Sequence, residues 1–199
     1  MGLKIGVTGG IGSGKSMVTR LFQLLNIPTY DADKAAKTIM IDDESVRGQL
    51  LECFGAEVYL ADGQLNRNWL SQRVFSDERE LKKLNAIVHP AVIRKGIQWA
   101  EAQVTAYSIK EAALLFESGS YRSLDYTILV SSPLPLRVDR VMQRDQRSQS
   151  EVMDRVRKQM AEEKKMELAD FVIYNDEKHS LVAQVYAIHK HFTEERLDG

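Results

Sequence analysis

The sequence predicts a three-layer α/β fold, in which a parallel five-stranded sheet lies between helices. Short apolar runs alternate along the chain with longer segments of helical period, the order expected when helices connect parallel strands. The first apolar run is followed by a glycine-rich loop and then by a helical segment. Such a loop lies at the carboxyl end of its strand, where ligands of parallel sheets collect.

The first half of the chain supplies two predicted strands and the longest helical stretch. Residues 3–8 are apolar and bounded by glycine, and the helix over 15–25 has apolar residues at helical spacing. A second short strand is predicted over 27–30, directly before Asp31. From Asp31 to about Val104 the period is mostly helical, with interruptions at Gly55 and at residues 61–63.

The second half supplies the other three strands. Residues 107–115 and 126–130 are short apolar runs, and the second of them enters a turn marked by Pro133 and Pro135. Residues 136–160 are charged and helical in period. Residues 171–174 form the last strand, and an amphipathic helix over 181–192 follows it.

Composition excludes several classes of protein. With 27 basic and 28 acidic residues the net charge is −1, so neither nucleic acid nor an anionic membrane is expected as the main partner. Cys53 has no second cysteine to pair with, which indicates a reducing compartment. No apolar run reaches the length of a membrane span, and the start lacks the features of a signal peptide. We expect a cytoplasmic protein.

Residues Gly9–Ser16 match the phosphate-loop pattern G-x-x-x-x-G-K-[ST] in full. The glycines let the backbone curl so that its N–H groups point at phosphate oxygens, and the next helix offers its N-terminus to the same charge. Lys15 is predicted to reach the β- and γ-phosphates, and the Ser16 hydroxyl to ligate Mg²⁺. The fold is therefore predicted to be a P-loop NTPase fold that binds ATP.

A phosphate loop is shared by switches, motors and kinases. The chain has no Asn-Lys-x-Asp motif for reading guanine and no Leu-Ser-Gly-Gly-Gln motif of transporter ATPases. These absences favour a small kinase that passes the γ-phosphoryl group to a small molecule.

Asp31 and Asp33 follow the second strand, close to where the γ-phosphate is expected. A carboxylate there could accept a hydrogen bond from an acceptor hydroxyl and orient it for attack. Both aspartates also precede a helical run, where either could cap the helix. Spacing alone does not separate these two roles.

Six motifs in order resemble the dephospho-CoA kinase family, over nearly the whole chain. They are TGGIGSGKS from Thr8, YDAD from Tyr30, LNAIVHP (84–90), ALLFESG (113–119), RVMQRD (140–145) and ADFVIYN (169–175). That family phosphorylates the ribose 3′-hydroxyl of dephospho-CoA. The resemblance therefore implies ATP and Mg²⁺ as cofactors, and CoA and ADP as products in the last step of CoA biosynthesis.

The resemblance also implies an organisation of the chain. Residues 1–30, 105–133 and 161–199 would form the nucleotide-binding core, residues 31–104 a helical substrate subdomain, and residues 134–160 a helical lid. We expect small-molecule substrates only, no nucleic acid and no membrane, and a monomer or weak homo-oligomer.

Site residues follow from the motifs. Asp33 corresponds to the proposed general base and, with Lys15 and Arg144, completes the predicted catalytic set. The predicted ATP-binding residues are Gly9, Gly10, Ile11, Gly12, Ser13, Gly14, Lys15, Ser16, Met17 and Arg144. The predicted substrate contacts are Asp33, Lys37, His89, Phe116, Glu117 and Arg140, and the predicted metal contacts are Ser16 and Glu111.

Three of these residues depart from the family pattern, and one of them is Met17, which stands where threonine is common. Lys37 stands where arginine is usual and cannot recognise phosphate in a bidentate way. Glu111 stands where aspartate is usual; as an acidic residue beside the phosphate loop it could hold a magnesium-bound water.

On one continuous helix, Arg137, Arg140, Arg144 and Arg147 fall within an arc of about 80°. Such a face could be a solvated basic surface, a nucleic-acid patch, or a lid that closes arginines over phosphates. His89 precedes Pro90 and, without the resemblance, would be read as a turn residue.

Two other functions remain open at this point. The same scaffold would suit a nucleoside or nucleoside-monophosphate kinase. A nucleotide-dependent protein whose basic helix contacts nucleic acid is the alternative from another class.

Overall fold

The computed structural model describes residues 2–194, apart from the side chains of residues 75 and 76. Its strands and helices alternate as the sequence predicts. In chain order they are β1 (Leu3–Thr8), α1 (Lys15–Leu24), β2 (Thr29–Asp31), α2 (Ala32–Asp42), α3 (Glu44–Phe54), α4 (Arg67–Ser76), α5 (Glu78–Glu101), β3 (Tyr107–Glu111), β4 (Tyr126–Ser131), α6 (Leu134–Asp145), α7 (Gln149–Arg157), α8 (Glu162–Leu168), β5 (Phe171–Tyr174) and α9 (Leu181–Glu194).

The five strands form one parallel sheet in the order β2-β3-β1-β4-β5, flanked by helices. This confirms the predicted fold class. In the register of the sheet, Glu111 of β3 lies beside Val7 of β1 and beside Asp31 of β2. The carboxyl ends of three neighbouring strands therefore meet where the glycine-rich loop begins.

The main hydrophobic core joins the sheet to α1 and α9. Its buried residues are Ile5, Val7, Val18, Phe22, Ile27, Tyr107, Ile109, Ile128, Val130, Ile173, Val185, Ile188 and Phe192. Side chains at alternate strand positions form this core, as expected for one face of a sheet. The packing fixes the end of β1 and the start of α1, and with them the loop between.

The chain divides into two compact units. The larger contains the residues up to Asp31 together with those from Trp99 onward, and the smaller is Ala32–Gln98. The smaller unit is helical and includes α2, α3 and α4. Within it, Val46, Leu50 and Phe54 of α3 are buried.

Strand β3 ends at Glu111, four residues before the predicted end. The apolar residues that follow are nevertheless buried, with Leu115 0% and Phe116 4% exposed. They lie in turns instead of a strand, and Leu115 packs close to Gly6 of β1. The prediction of strand over 107–115 was wrong because burial alone does not distinguish a strand from a packed loop.

The predicted helix over 136–160 is two helices. Helix α6 ends at Asp145, where Gln146 has φ 52° in the left-handed region, and α7 begins after Ser148. Arg147 therefore does not belong to α6. The prediction that all four arginines share one helix face was wrong for Arg147. The helical period continued through the break, so the pattern gave no sign of it.

Helix α5 continues through Pro90, which lies inside it. The interpretation of His89 as a turn residue was therefore wrong. Proline removes one backbone donor from a helix but can be accommodated where neighbouring packing holds the helix together. Val88, Ala91 and Val92 around it are buried.

Candidate active site

The glycine-rich loop connects β1 to α1, as its sequence predicts. Gly12 and Gly14 have φ of 77° and 94°, in the left-handed region. A β-carbon at Gly12 would lie 2.4 Å from the carbonyl oxygen of Arg137, and one at Gly14 would lie 2.2 Å from Asn175 Nδ2. Both glycines are thus required by backbone conformation and by close neighbours.

The loop presents its polar groups at the start of α1. Lys15 is the first residue of that helix, and its Nζ donates a hydrogen bond to the carbonyl of Gly9 at 2.9 Å. The first N–H groups of a helix have no partner in its own ladder and attract anions. Ser16 and Met17, one residue further along, are exposed.

Two long-range hydrogen bonds hold the loop. The Asn175 amide donates to the carbonyl of Ser13 at 2.7 Å, and the Ile11 N–H donates to Gln159 Oε1 at 2.8 Å. Neither side chain was among the predicted site residues. Asn175 is the last residue of the ADFVIYN motif, but the motif did not predict a role for it. No feature of the sequence indicated Gln159.

A cavity of about 580 Å³ opens beside the loop, within the larger unit. Its lining includes Ser16, Thr19, Asp31 and Glu111. The Thr19 hydroxyl donates to Glu111 Oε2 at 2.8 Å, which orients that carboxylate. The cavity therefore combines hydroxyl and carboxylate oxygens, the ligand type that Mg²⁺ prefers.

In residues 2–194, no three His, Cys, Asp or Glu side chains are grouped so that they could hold a metal ion. An ion beside the loop would accordingly complete its coordination with phosphate oxygens and water. This is the usual arrangement for Mg²⁺, which keeps several waters and binds one or two protein ligands. Ser16 and Glu111 fit that chemistry.

The other predicted substrate residues lie in different parts of the fold. Asp33 is an exposed residue in the first turn of α2, and Lys37, also exposed, follows one helical turn later. Residues four apart share a helix face, so this acid and base lie on one side of α2. His89 is half-buried in α5. These three residues belong to the smaller unit.

Phe116 and Glu117 belong to the turns after β3. Phe116 is buried and packs edge-to-face on Tyr121, with ring centroids 5.3 Å apart. Glu117 Oε1 accepts the Met160 N–H at 2.9 Å and lies 3.2 Å from Lys165 Nζ. Glu117 thus contacts the chain between α7 and α8.

Each arginine on or just after α6 has polar partners. Arg137 is buried and lies 3.4 Å from Glu162, and Arg140 donates to the Ser132 hydroxyl and to the carbonyl of Asn175. Arg144 is 63% exposed and forms a two-bond pair with Asp145 at 2.7 and 3.1 Å. Those hydrogen bonds lower the pKa of the Asp145 carboxyl. Of the arginines on α6, Arg144 is the one with an exposed side chain.

No helix within the described part of the chain is long and apolar enough to cross a membrane.

Comparison with known proteins gives consistent matches. The family model described as dephospho-CoA kinase matches residues 3–180. A dephospho-CoA kinase of Bacteroides fragilis is 38% identical over 93% of this chain and 90% of the relative. A Thermus thermophilus crystal structure is 37% identical, with a TM-score of 0.81 over 97% of each chain. The structure of a Campylobacter jejuni dephospho-CoA kinase is 26% identical, with a TM-score of 0.71 over 98% of this chain and all of that one.

Proposed function

Because the chain belongs to the dephospho-CoA kinase family, its reaction is the ATP-dependent phosphorylation of an alcohol, and we propose how its residues carry that reaction out. The acceptor is the ribose 3′-hydroxyl of dephospho-CoA. The bond between the γ-phosphorus and the β–γ bridging oxygen breaks while the acceptor oxygen bonds to the same phosphorus. The products are CoA and ADP. The match of the family model to residues 3–180 carries this assignment.

ATP binds through the loop Gly9–Ser16 and Met17. The left-handed glycines and the start of α1 support this, since a curled glycine-rich loop before a helix N-terminus is the usual binding site for phosphate groups. The Lys15 ammonium leaves the carbonyl of Gly9 for the β- and γ-phosphates, to which it is more strongly attracted. Its charge then offsets the negative charge that develops on the moving phosphoryl group.

Asp33 orients the acceptor hydroxyl and accepts its proton. Its exposed position in the first turn of α2, two residues after Asp31 at the end of β2, supports this role. Lys37 on the same face of the helix would neutralise a phosphate of the acceptor. A weak base suffices, since phosphoryl transfer depends mainly on positioning and on neutralisation of charge.

The Ser16 hydroxyl and the Glu111 carboxylate are the groups that would hold Mg²⁺, Glu111 through a water. Their common cavity and the Thr19 hydrogen bond that orients Glu111 support this proposal. A magnesium ion held there would neutralise part of the negative charge of the phosphates. Glu111 is one methylene longer than the aspartate usual in the family, and an intervening water suits either length.

The segment 134–160 acts as the lid and brings Arg144 to the phosphates. The exposure of the Arg144 side chain supports this role. Its guanidinium can leave the Asp145 carboxylate and bind a phosphate with little other rearrangement. Residues 31–104 serve as the substrate subdomain, in which His89 contacts the substrate. Phe116 and Glu117 of the core and Arg140 of the lid provide further substrate contacts. We further propose a cytoplasmic enzyme with small-molecule substrates, without nucleic acid, as a monomer or weak homo-oligomer.

The first experiment measures ADP release with Mg-ATP and four candidate acceptors: dephospho-CoA, AMP, CMP and adenosine. We expect dephospho-CoA alone to drive turnover. In Asp33→Asn, turnover should fall about 100-fold or more while ATP binding is kept, since a general base contributes about 10²–10⁴ in rate. Asp42→Asn is the matched control, because Asp42 is an exposed aspartate at the other end of α2.

Either of two results would contradict the proposal. Turnover with another acceptor would reject the substrate while leaving the nucleotide site intact. Full activity of Asp33→Asn with a lower melting temperature would make Asp33 a helix-stabilising residue, and the base would then be sought elsewhere.

A further inference from the structure

Ile11, in the middle of the phosphate loop, is attached to the lid in two ways. Its N–H donates to Gln159 Oε1 at 2.8 Å, although the two residues lie 148 positions apart. Its side chain packs against the buried cluster Val138, Val141 and Val152, which joins α6 to α7. The backbone and the side chain of one loop residue are therefore both fixed by the lid helices.

A second connection runs through Arg137. A β-carbon on Gly10 would lie 1.7 Å from Arg137 Nη1, so the buried guanidinium rests directly on the loop backbone. Glu162, at the start of α8, pairs with the same guanidinium at 3.4 Å. The chain that follows α7 thus contacts the loop at Ile11 directly, and at Gly10 through the ion pair between Arg137 and Glu162.

Gln159 itself is supported by its neighbours. The N–H of Met160 donates to Glu117 Oε1 at 2.9 Å, and Lys165, fully buried, pairs with the same oxygen at 3.2 Å. A buried ammonium is costly without a partner, so the ion pair fixes this carboxylate. Residue 160 is therefore held in place, and the adjacent Gln159 side chain is presented to the loop from an anchored position.

The geometry points to Gln159 as a positioning residue for phosphoryl transfer. Its amide oxygen holds the Ile11 N–H and thereby fixes the curvature of the loop before ATP arrives. A loop already in its binding conformation loses less conformational entropy when the phosphates bind. The same hydrogen bond links the loop to the segment that carries Arg144, so both sides of the nucleotide are placed together.

The test compares two substitutions, one that removes the acceptor oxygen and one that keeps it but adds a negative charge. Gln159→Met keeps the length of the side chain but removes the acceptor, whereas Gln159→Glu keeps an acceptor oxygen. Gln143→Met is the matched control, because Gln143 is an exposed glutamine on α6. The measurements are hydrogen exchange of the Ile11 amide, the dissociation constant of ATP without acceptor, and KM for each substrate.

We expect Gln159→Met to lose protection of the Ile11 amide and to bind ATP about 5- to 10-fold more weakly, the effect of one hydrogen bond. KM for dephospho-CoA should stay within about twofold of the wild-type value, because the substitution does not alter the acceptor site. Gln159→Glu should keep the Ile11 amide protected, which separates the hydrogen bond from the size of the side chain; its ATP affinity also carries the repulsion between the new carboxylate and the phosphates. Gln143→Met should match the wild type.

Several results would overturn the inference. One is wild-type ATP affinity in Gln159→Met despite an exposed Ile11 amide. Another is an equal rise in KM for both substrates together with a lower melting temperature, which would indicate a purely structural role. Fast exchange of the Ile11 amide in the nucleotide-free wild type would overturn it without any variant.

The inference rests on the proposed function only for the place of Gln159 in phosphoryl transfer. ATP affinity is measured without an acceptor, so it reports on the loop whichever acceptor is used. Failure of dephospho-CoA to react in the wild type would reject the proposed function and leave the Gln159 measurements interpretable.

Discussion

Single residues within the sheet show how burial changes charge. Lys110 of β3 is 6% exposed and lies in register beside Gly6 of β1 and Tyr30 of β2. Desolvation by these surroundings lowers the pKa of its ammonium below the usual 10.5. A buried charged group destabilises the folded protein when no favourable interaction offsets its desolvation.

Replacement of this lysine by an apolar residue of similar length should therefore stabilise the protein. We expect Lys110→Met to raise the free energy of unfolding by about 1–2 kcal/mol at neutral pH, the scale of one desolvated polar group. Because the pKa of Lys110 is lower in the folded state, wild-type stability should rise with pH between that value and 10.5. The difference in free energy of unfolding between Lys110→Met and the wild type should therefore shrink as the pH rises. Urea denaturation at about pH 7 and about pH 10 measures both effects.

Lys164→Met is the matched control, since Lys164 is an exposed lysine of α8. A change of less than about 0.5 kcal/mol is expected there, as for most surface substitutions. Loss of stability in Lys110→Met would mean that the Lys110 ammonium makes a favourable interaction that outweighs its desolvation.

At the scale of elements, the break between α6 and α7 is maintained by local hydrogen bonds. The Ser148 hydroxyl accepts the Glu151 N–H at 3.3 Å, and the Glu151 carboxylate accepts the Ser148 N–H at 3.0 Å, which together form a capping box. Arg147 donates to the same carboxylate at 2.7 Å. Three residues therefore separate the end of α6 from the start of α7, and the break between the two helices has a defined position.

These contacts predict a pH dependence for the start of α7. The backbone hydrogen bond from Ser148, followed by the one from Arg147, lowers the pKa of Glu151 to about 2 from 4.5. Since the folded-state value is the lower one, the contribution to stability is complete above 4.5 and is lost as the pH falls toward 2. Titration of the Glu151 carboxyl carbon by NMR measures this directly.

Ser148→Ala removes the hydroxyl but keeps the backbone N–H and Arg147, so it should raise the pKa of Glu151 only in part. It should also destabilise the protein by about 1 kcal/mol, the usual effect of losing a helix cap. Ser150→Ala, an exposed serine within α7, should leave the Glu151 titration unchanged. An ordinary pKa for Glu151 in the wild type would show that the capping box does not persist in solution.

At the scale of the whole molecule, the charges are balanced, and the arginines on and just after α6 have acidic partners. The net charge is −1, and the basic side chains around α6 have acidic partners in Glu162, Glu177, Asp145 and Glu151. A nucleic-acid-binding surface needs several basic side chains that are not neutralised by their neighbours. The distribution of charge favours a small anionic ligand at one local site.

We therefore expect no salt-dependent binding of a 20-nucleotide DNA or RNA at about 50 mM salt, the condition that favours such binding most. Fluorescence polarisation of labelled oligonucleotides measures this, and ADP release in their presence should be unchanged. Binding that weakens steeply with salt and is lost in Arg144→Gln would contradict this expectation and favour the nucleic-acid alternative.

The sequence by itself determined the sheet, the phosphate loop and the family. These features depend on residues close together in the chain. Eight consecutive residues encode the curl of the loop through glycine conformations and the start of α1, and short apolar runs encode the strands. The motif around Asp33 could likewise be recognised locally, and its role in the reaction stays a prediction.

The tertiary structure alone decided what supports the loop. Gln159, Arg137 and Asn175 contact it from positions more than 100 residues away in the chain. No periodicity or spacing indicates such contacts, because they depend on how α6, α7 and β5 pack after the chain has folded. The same reason explains the end of β3 and the break between α6 and α7. A hydrophobic pattern reports burial, whereas the neighbours that a segment packs against determine its backbone conformation.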